Sequence, residues 1–155
     1  MPLLQEKTRQ SLQQEFEALT GPVRLVFFTQ ALGCETCDIT RQLLEEVVSL
    51  SDKIELVSHN YAIDRTDVER YGVARIPSFA VVRLEETQSA GGDTTVAERD
   101  YGIRFYGVPS GYEFGSFIGA ILDVSSAESH LSQASRELLA QINSPTHIQV
   151  FTTPT

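Results

Sequence analysis

The 155-residue sequence predicts an α/β fold class: a mixed central sheet flanked by helices. Three observations carry that prediction. Apolar, partly β-branched runs of strand length at 23–29 (VRLVFFT) and 54–61 (IELVSHNY) enclose a helical stripe, which implies a parallel pair joined by a right-handed crossover. Two further strand-like stretches, SFAVVRL (78–84) and YGIRFYG (101–107), follow one another with no helix between them and imply an antiparallel hairpin. The remaining segments place apolar residues at helical spacing, so helices cover the sheet.

Each element has a local reason. Leu12, Phe16 and Leu19 recur at helical intervals in the opening segment, which Gly21-Pro22 ends. The run at 23–29 has no polar alternation and suits a strand covered on both faces. After the loop QALGCETC, the stripe Ile39, Leu43, Leu44, Val47, Val48 predicts a helix from the cysteines to about Leu50. Thr66 to Glu69 has the form of a capping box and opens a short helix ending near Gly72. The polar stretch EETQSAGGDTTVAERD (85–100) is expected to be a long loop. Ser110 to Glu113 forms a second capping box, before a helix with the wide apolar face Phe114, Phe117, Ile118, Ile121, Leu122.

Composition is that of an ordinary globular protein, with 41% hydrophobic and 21% charged residues. A formal net charge of −9 argues against nucleic acid or an anionic membrane as the main partner, since both require clustered Lys and Arg. The N-terminus MPLLQEKTRQSLQQEF has no unbroken apolar stretch, and no run approaches a membrane span. A cytoplasmic location is expected.

Cys34 and Cys37 are the only cysteines in the chain, in the segment GCETC. Where thiols are kept reduced, a Cys-x-x-Cys pair is more often catalytic or metal-binding than a structural staple. A disulfide closing so short a loop also removes little unfolded-state entropy. Placed at a helix N-terminus, Cys34 gains thiolate stability from unpaired N–H groups, and Cys37 one turn on can resolve a mixed disulfide. Glu35 and Asp38 oppose this: an exposed carboxylate ~6 Å away repels a thiolate by roughly 0.7 to 3 kcal/mol. The helix end returns about 0.5 to 2 kcal/mol. A reducing or intermediate couple is therefore expected, closer to roughly −270 mV than to roughly −120 mV. The alternative is half a zinc site completed by His59, His130 or His147, which lack the usual ligand spacing.

The order of elements, the Cys-x-x-Cys pair and the phrase Tyr71-Gly-Val-Ala-Arg-Ile-Pro-Ser-Phe resemble the thioredoxin superfamily. The resemblance implies a thioredoxin-like fold and a thiol-disulfide oxidoreductase that uses Cys34 as nucleophile and Cys37 as resolving thiol, with no other cofactor. It also implies that Ile76 and Pro77 bind substrate, with a cis proline beside the dithiol. Partners would be protein or peptide disulfides, with a thioredoxin-reductase-like flavoprotein as electron donor. The sequence departs from thioredoxin itself: the pair is CETC, and Phe28 stands six residues ahead of Cys34, where thioredoxin has a buried Asp. Proton transfer to the resolving cysteine then relies on water or another acid.

The stretch DYGIRFYGVPSGYEFGSFIGAILDVS (100–125) resembles more closely the two-unit, glutaredoxin-like protein disulfide oxidoreductases. An internal repeat points the same way. A helix marked by Leu138, Leu139 and Ile142, followed by HIQVFTTPT (147–155), echoes the opening helix and VRLVFFT. Residues 1–124 are expected to form a first unit, and 125–155 the opening helix and strand of a second, truncated before its own Cys-x-x-Cys. The alternative function is a redox relay or docking unit within such a larger protein. The amino-terminal double-thioredoxin domain of the alkyl hydroperoxide reductase flavoprotein is an analogue of that arrangement.

Overall fold

Strand β1 (Val23–Thr29) lies at the heart of the sheet, and all its residues except Arg24 are buried. Its unbroken apolar run has a direct cause: both of its faces are covered. On one face Leu25 and Phe27 join Phe79 and Val81 against helices α1 (Glu6–Phe16), α2 (Cys37–Val48) and α4 (Tyr112–Ser126). On the other, Val26 and Phe28 join Ala80 and Val82 against Val68 of helix α3 (Arg65–Arg70), with Tyr71 and Val73. The computed structural model describes residues 1–88 and 93–152.

Among these residues the sheet has four strands in the order β2-β1-β3-β4. Strand β2 (Ile54–Asn60) runs parallel to β1, with Val23 opposite Ile54 and Thr29 opposite Asn60. Strand β3 (Ser78–Gln88) is antiparallel to β1, with Phe28 opposite Ser78, and β4 (Thr94–Tyr106) is antiparallel to β3. The predicted mixed sheet, parallel pair and terminal hairpin are therefore all present. No helix among the described residues is long and apolar enough to cross a membrane.

Three expectations need correction. The stretch 85–100 is not a long loop, because β3 extends through Gln88 and β4 begins at Thr94; residues 89–92 lie outside the described residues. This ribbon is mostly exposed, so it has no burial pattern to read. Cross-strand pairs hold it instead: the Thr87 and Thr95 hydroxyls are 2.9 Å apart, and Arg99 and Glu85 are paired at 3.5 Å. Neither capping box forms through its side chain. Asp64, not Thr66, precedes α3, and its carboxylate accepts the Asn60 N–H at 2.6 Å. Gly111 stands before α4 with φ +58°, a left-handed conformation that favours glycine, and Ser110 contributes only its carbonyl to the Glu113 N–H.

The C-terminal segment is described through residue 152. Helix α5 (Gln133–Ala140) forms, capped by the Ser132 hydroxyl, but Leu138, Leu139 and Ile142 are exposed. Residues 147–152 are not a strand, since no neighbouring strand among the described residues satisfies their backbone; 153–155 lie outside the described residues. Helix α4 runs through Ser126.

Ser125 ties the end of α4 to the segment ahead of β1. Its buried hydroxyl accepts N–H groups of Thr20 and Gly21 at 3.0 Å each and donates to the Gly21 carbonyl at 2.7 Å. Thr20 in turn donates to the Ser125 carbonyl at 2.9 Å. Ser125→Ala strands these buried groups and is expected to lower unfolding free energy by about 1–3 kcal/mol, read as a lower urea midpoint.

Candidate active site

The loop that leaves β1 turns back sharply. The Gln30 side-chain amide donates to the Leu32 carbonyl at 2.6 Å, and Gly33, at φ +73°, supplies the left-handed turn that delivers Cys34. Leu32 at its tip is 84% exposed. Cys34 and Cys37 are joined in a disulfide with Cα atoms 5.5 Å apart. Helix α2 begins at Cys37 rather than at Cys34, so the first cysteine lies on the turn ahead of the helix. Thr36 precedes the helix without a side-chain cap; its carbonyl accepts both the Thr40 N–H at 3.0 Å and the Thr40 hydroxyl at 2.7 Å. The first-turn N–H groups thus stay clear of side-chain acceptors and favour negative charge at the cysteines.

The two sulfurs are not equivalent. Cys34 is half-buried, whereas Cys37 is 1% exposed. Glu35 and Asp38 are exposed, so the acidic residues flanking the pair face solvent. The first-turn dipole therefore acts on a pair whose outer member a partner can reach and whose inner member it cannot.

Ile76 and Pro77 come to the same end of the sheet. The Ile76–Pro77 peptide is cis, and continuing the β1–β3 register past Phe28 and Ser78 sets Pro77 across from Thr29. The Pro77 carbonyl accepts the Gly107 N–H at 2.8 Å, and the Ala74 carbonyl accepts the Tyr61 hydroxyl at 3.1 Å. The Arg75 guanidinium lies over the Tyr106 ring at 4.9 Å. Among the described residues the backbone N–H and C=O of Ile76 have no hydrogen-bond partner. The buried Ser78 hydroxyl likewise has none.

The three histidines do not converge on the cysteines. His59 stacks on Phe28 with ring centroids 5.5 Å apart, and its Nδ1 lies 3.4 Å from an Asp67 oxygen. His130 Nε2 is 3.0 Å from an Asp123 oxygen at the end of α4. Among the described residues no group of three or more His, Cys, Asp or Glu side chains is placed to hold a metal ion.

Sequence reading missed the groups that fix the segment leading to Pro77. Tyr71 donates its hydroxyl to Glu98 on β4, which also binds Arg24 and, at 2.7 Å, Arg70. Burial alone would raise the Glu98 pKa, but Tyr71 and the two arginines outweigh it and hold the carboxyl below its ordinary range. Burial, then Glu98, pushes the Tyr71 phenol well above its ordinary value. Arg104 holds Asp100 below its ordinary range by hydrogen bonding.

A carboxyl depressed in the folded state stabilises the fold above its unfolded pKa, and that stability disappears as pH falls through the folded value. The stability difference between the native chain and Glu98→Gln should therefore be largest near neutrality. Urea titrations should show it shrinking below about pH 4.5.

Known proteins share this architecture. The chain superposes on the NTD_N/C domain of alkylhydroperoxide reductase AhpF from Enterococcus faecalis with a TM-score of 0.71 and 28% identity. The match covers 86% of this chain and 58% of that one. A protein disulfide oxidoreductase from Aeropyrum pernix gives a TM-score of 0.70 over 88% of this chain and 54% of that one; at 23% identity it bears on the fold alone. The chain has a thioredoxin-like fold.

In sequence, the chain is 37% identical over 100 residues to the F subunit of alkyl hydroperoxide reductase from Xanthomonas campestris pv. phaseoli. It is 27% identical over 150 residues to the corresponding protein of Staphylococcus epidermidis. Those alignments cover 64% and 96% of this chain but only 14% and 24% of the relatives' own length. No family model matches the sequence. The thioredoxin-like fold expected from CETC and the Tyr71–Phe79 phrase is thus the one these comparisons give.

Proposed function

We propose that the chain is a thiol-disulfide oxidoreductase unit that exchanges disulfides with protein or peptide substrates through Cys34 and Cys37. The observation that carries this reading is the unequal pair: a reachable Cys34 ahead of α2, bonded to a buried Cys37 at the helix's first residue. In the reduced protein the Cys34 thiolate attacks one sulfur of a substrate disulfide. The substrate S–S bond breaks, and its departing sulfur leaves as a thiolate that takes a proton from water. The Cys37 thiolate then attacks Cys34 Sγ, releasing the second substrate thiol and closing the Cys34–Cys37 disulfide. The substrate gains two electrons and the dithiol loses two; a dithiol or flavoprotein reductant restores the pair.

Ile76 and Pro77 form the substrate-facing wall. The unpartnered Ile76 backbone supports this role, because it can pair with an extended peptide lying across the disulfide. The cycle requires no cofactor beyond the dithiol and fits the cytoplasm, where reductant is available.

A second reading is favoured by the relatives: the chain aligns with part of proteins named for alkyl hydroperoxide reductase. In that reading the unit relays electrons within a larger protein, and residues 125–155 open a second unit. The helix-then-IQVF repeat and the exposed apolar residues of α5 support such a neighbour.

Insulin reduction with dithiothreitol as donor tests the first reading. Turnover well above the donor alone supports it. Background-level turnover, from a chain whose own disulfide still cycles with a flavoprotein reductase, overturns it in favour of the relay.

A further inference from the structure

We infer that Tyr71 is a positioning residue, clamped by charged groups on β4 so that it fixes the Gly72–Pro77 segment against which a partner chain docks. The inference rests on the reading of Ile76 and Pro77 as the substrate-facing wall. The segment is neither helix nor strand, and the six-residue α3 that precedes it is too short to hold its own geometry. Its far end is fastened by the Gly107 bond to Pro77, and its middle by Tyr61 on Ala74. At its near end Gly72 and Val73 donate to the Glu69 and Val68 carbonyls at 3.1 and 3.0 Å, and the side-chain fastening converges on Tyr71.

That fastening is unusually polar for a residue only 5% exposed. The Tyr71 hydroxyl donates to Glu98, and its carbonyl accepts Arg104 Nε at 2.9 Å. The Arg70 and Arg104 guanidinium carbons lie 5.1 and 5.3 Å from the ring centroid, and the Phe28 ring packs at 5.6 Å. Each cation is itself tied down, Arg70 by Glu98 and Arg104 by Asp100. An apolar side chain would supply burial here without fixing an angle. A saturated hydrogen-bond network fixes both ring and backbone, because any rotation leaves a buried group unpaired. The Tyr71 hydroxyl meets Glu98, which lies opposite Leu84 on β3, six residues beyond Ser78; its effect on exchange runs through the backbone of Ile76.

The test compares Tyr71→Phe, Glu98→Gln and the native chain on insulin and on a small aromatic disulfide, 5,5′-dithiobis(2-nitrobenzoate). Tyr71→Phe keeps the ring and its packing but loses the hydroxyl. Its kcat/KM for insulin should fall about 5- to 10-fold, carried by KM, with the small disulfide within about twofold of native and the reduction potential unchanged. Glu98→Gln keeps an acceptor for the hydroxyl and should recover most of that loss. An equal fall on both substrates, a shifted potential, or unchanged insulin kinetics overturns the inference.

Amide hydrogen exchange of Val73–Ile76, measured on the same samples without substrate, separates the clamp from the function. Faster exchange there in Tyr71→Phe, with α2 and β1 unaltered, supports the clamp; unaltered exchange overturns it. If the native chain fails to turn over insulin, the proposed function falls, and the exchange data alone decide the clamp.

Discussion

Cys34→Ser should abolish insulin reduction, lowering turnover by roughly three orders of magnitude or more, while leaving the fold intact. Cys34 is the half-buried member of the pair and lies on the turn ahead of α2, where a substrate sulfur can approach it. Cys37 is buried at the first position of the helix and cannot stand in as the attacking group. Cys37→Ser should therefore give the opposite phenotype. Attack by Cys34 still proceeds, but resolution stops, and the chain accumulates as a mixed disulfide with its substrate. Non-reducing mass spectrometry reads this directly: an adduct for Cys37→Ser and none for Cys34→Ser. Retention of more than about a tenth of native turnover by Cys34→Ser would contradict the assignment of roles.

Phe79→Ala should cost about 3–5 kcal/mol, the largest stability effect expected of a single substitution here. Phe79 is fully buried at the middle of the sheet, opposite Phe27 on β1 and Phe105 on β4. Its ring stacks on Phe105 at 5.1 Å and meets the edge of Phe117 from α4 at 4.9 Å. Truncation empties the junction of two strands and a helix, and rigid aromatic neighbours collapse poorly into the space. Because whole domains are stable by only about 5–15 kcal/mol, the urea midpoint should fall steeply. Phe79→Leu, which refills most of the volume, should recover more than half of the loss; equal urea midpoints for the alanine variant and the native chain would remove this cluster from the core.

The central sheet was legible in the sequence because burial writes directly into it. β1 is covered on both faces and reads as VRLVFFT, and α2 is covered on one and reads as a stripe. The dithiol was legible because the strand before it and the helix after it were. The outer half of the hairpin was not, because Thr87, Thr95, Glu85 and Arg99 stabilise it across strands while facing solvent. The helix starts were misplaced where a local competitor intervened: Asp64 closes the turn before α3, and Gly111 turns the chain into α4. The clamp on Tyr71 was invisible for another reason. Its partner Glu98 is 27 positions away and sits in a stretch whose polarity reads as loop. The IQVF segment shows the converse, since strand-forming residues without a neighbouring strand remain outside the sheet.

The reduction potential of the Cys34–Cys37 couple tests the central claim, that this pair is a working dithiol, most directly. Equilibration of the folded chain against dithiothreitol or glutathione, with alkylation to count free thiols, measures it. The exposed carboxylates of Glu35 and Asp38 oppose the thiolate that the start of α2 favours. Reversible two-electron reduction is expected, nearer roughly −270 mV than roughly −120 mV. A value above about −150 mV, or a disulfide that stays closed until the fold is unfolded, would contradict it.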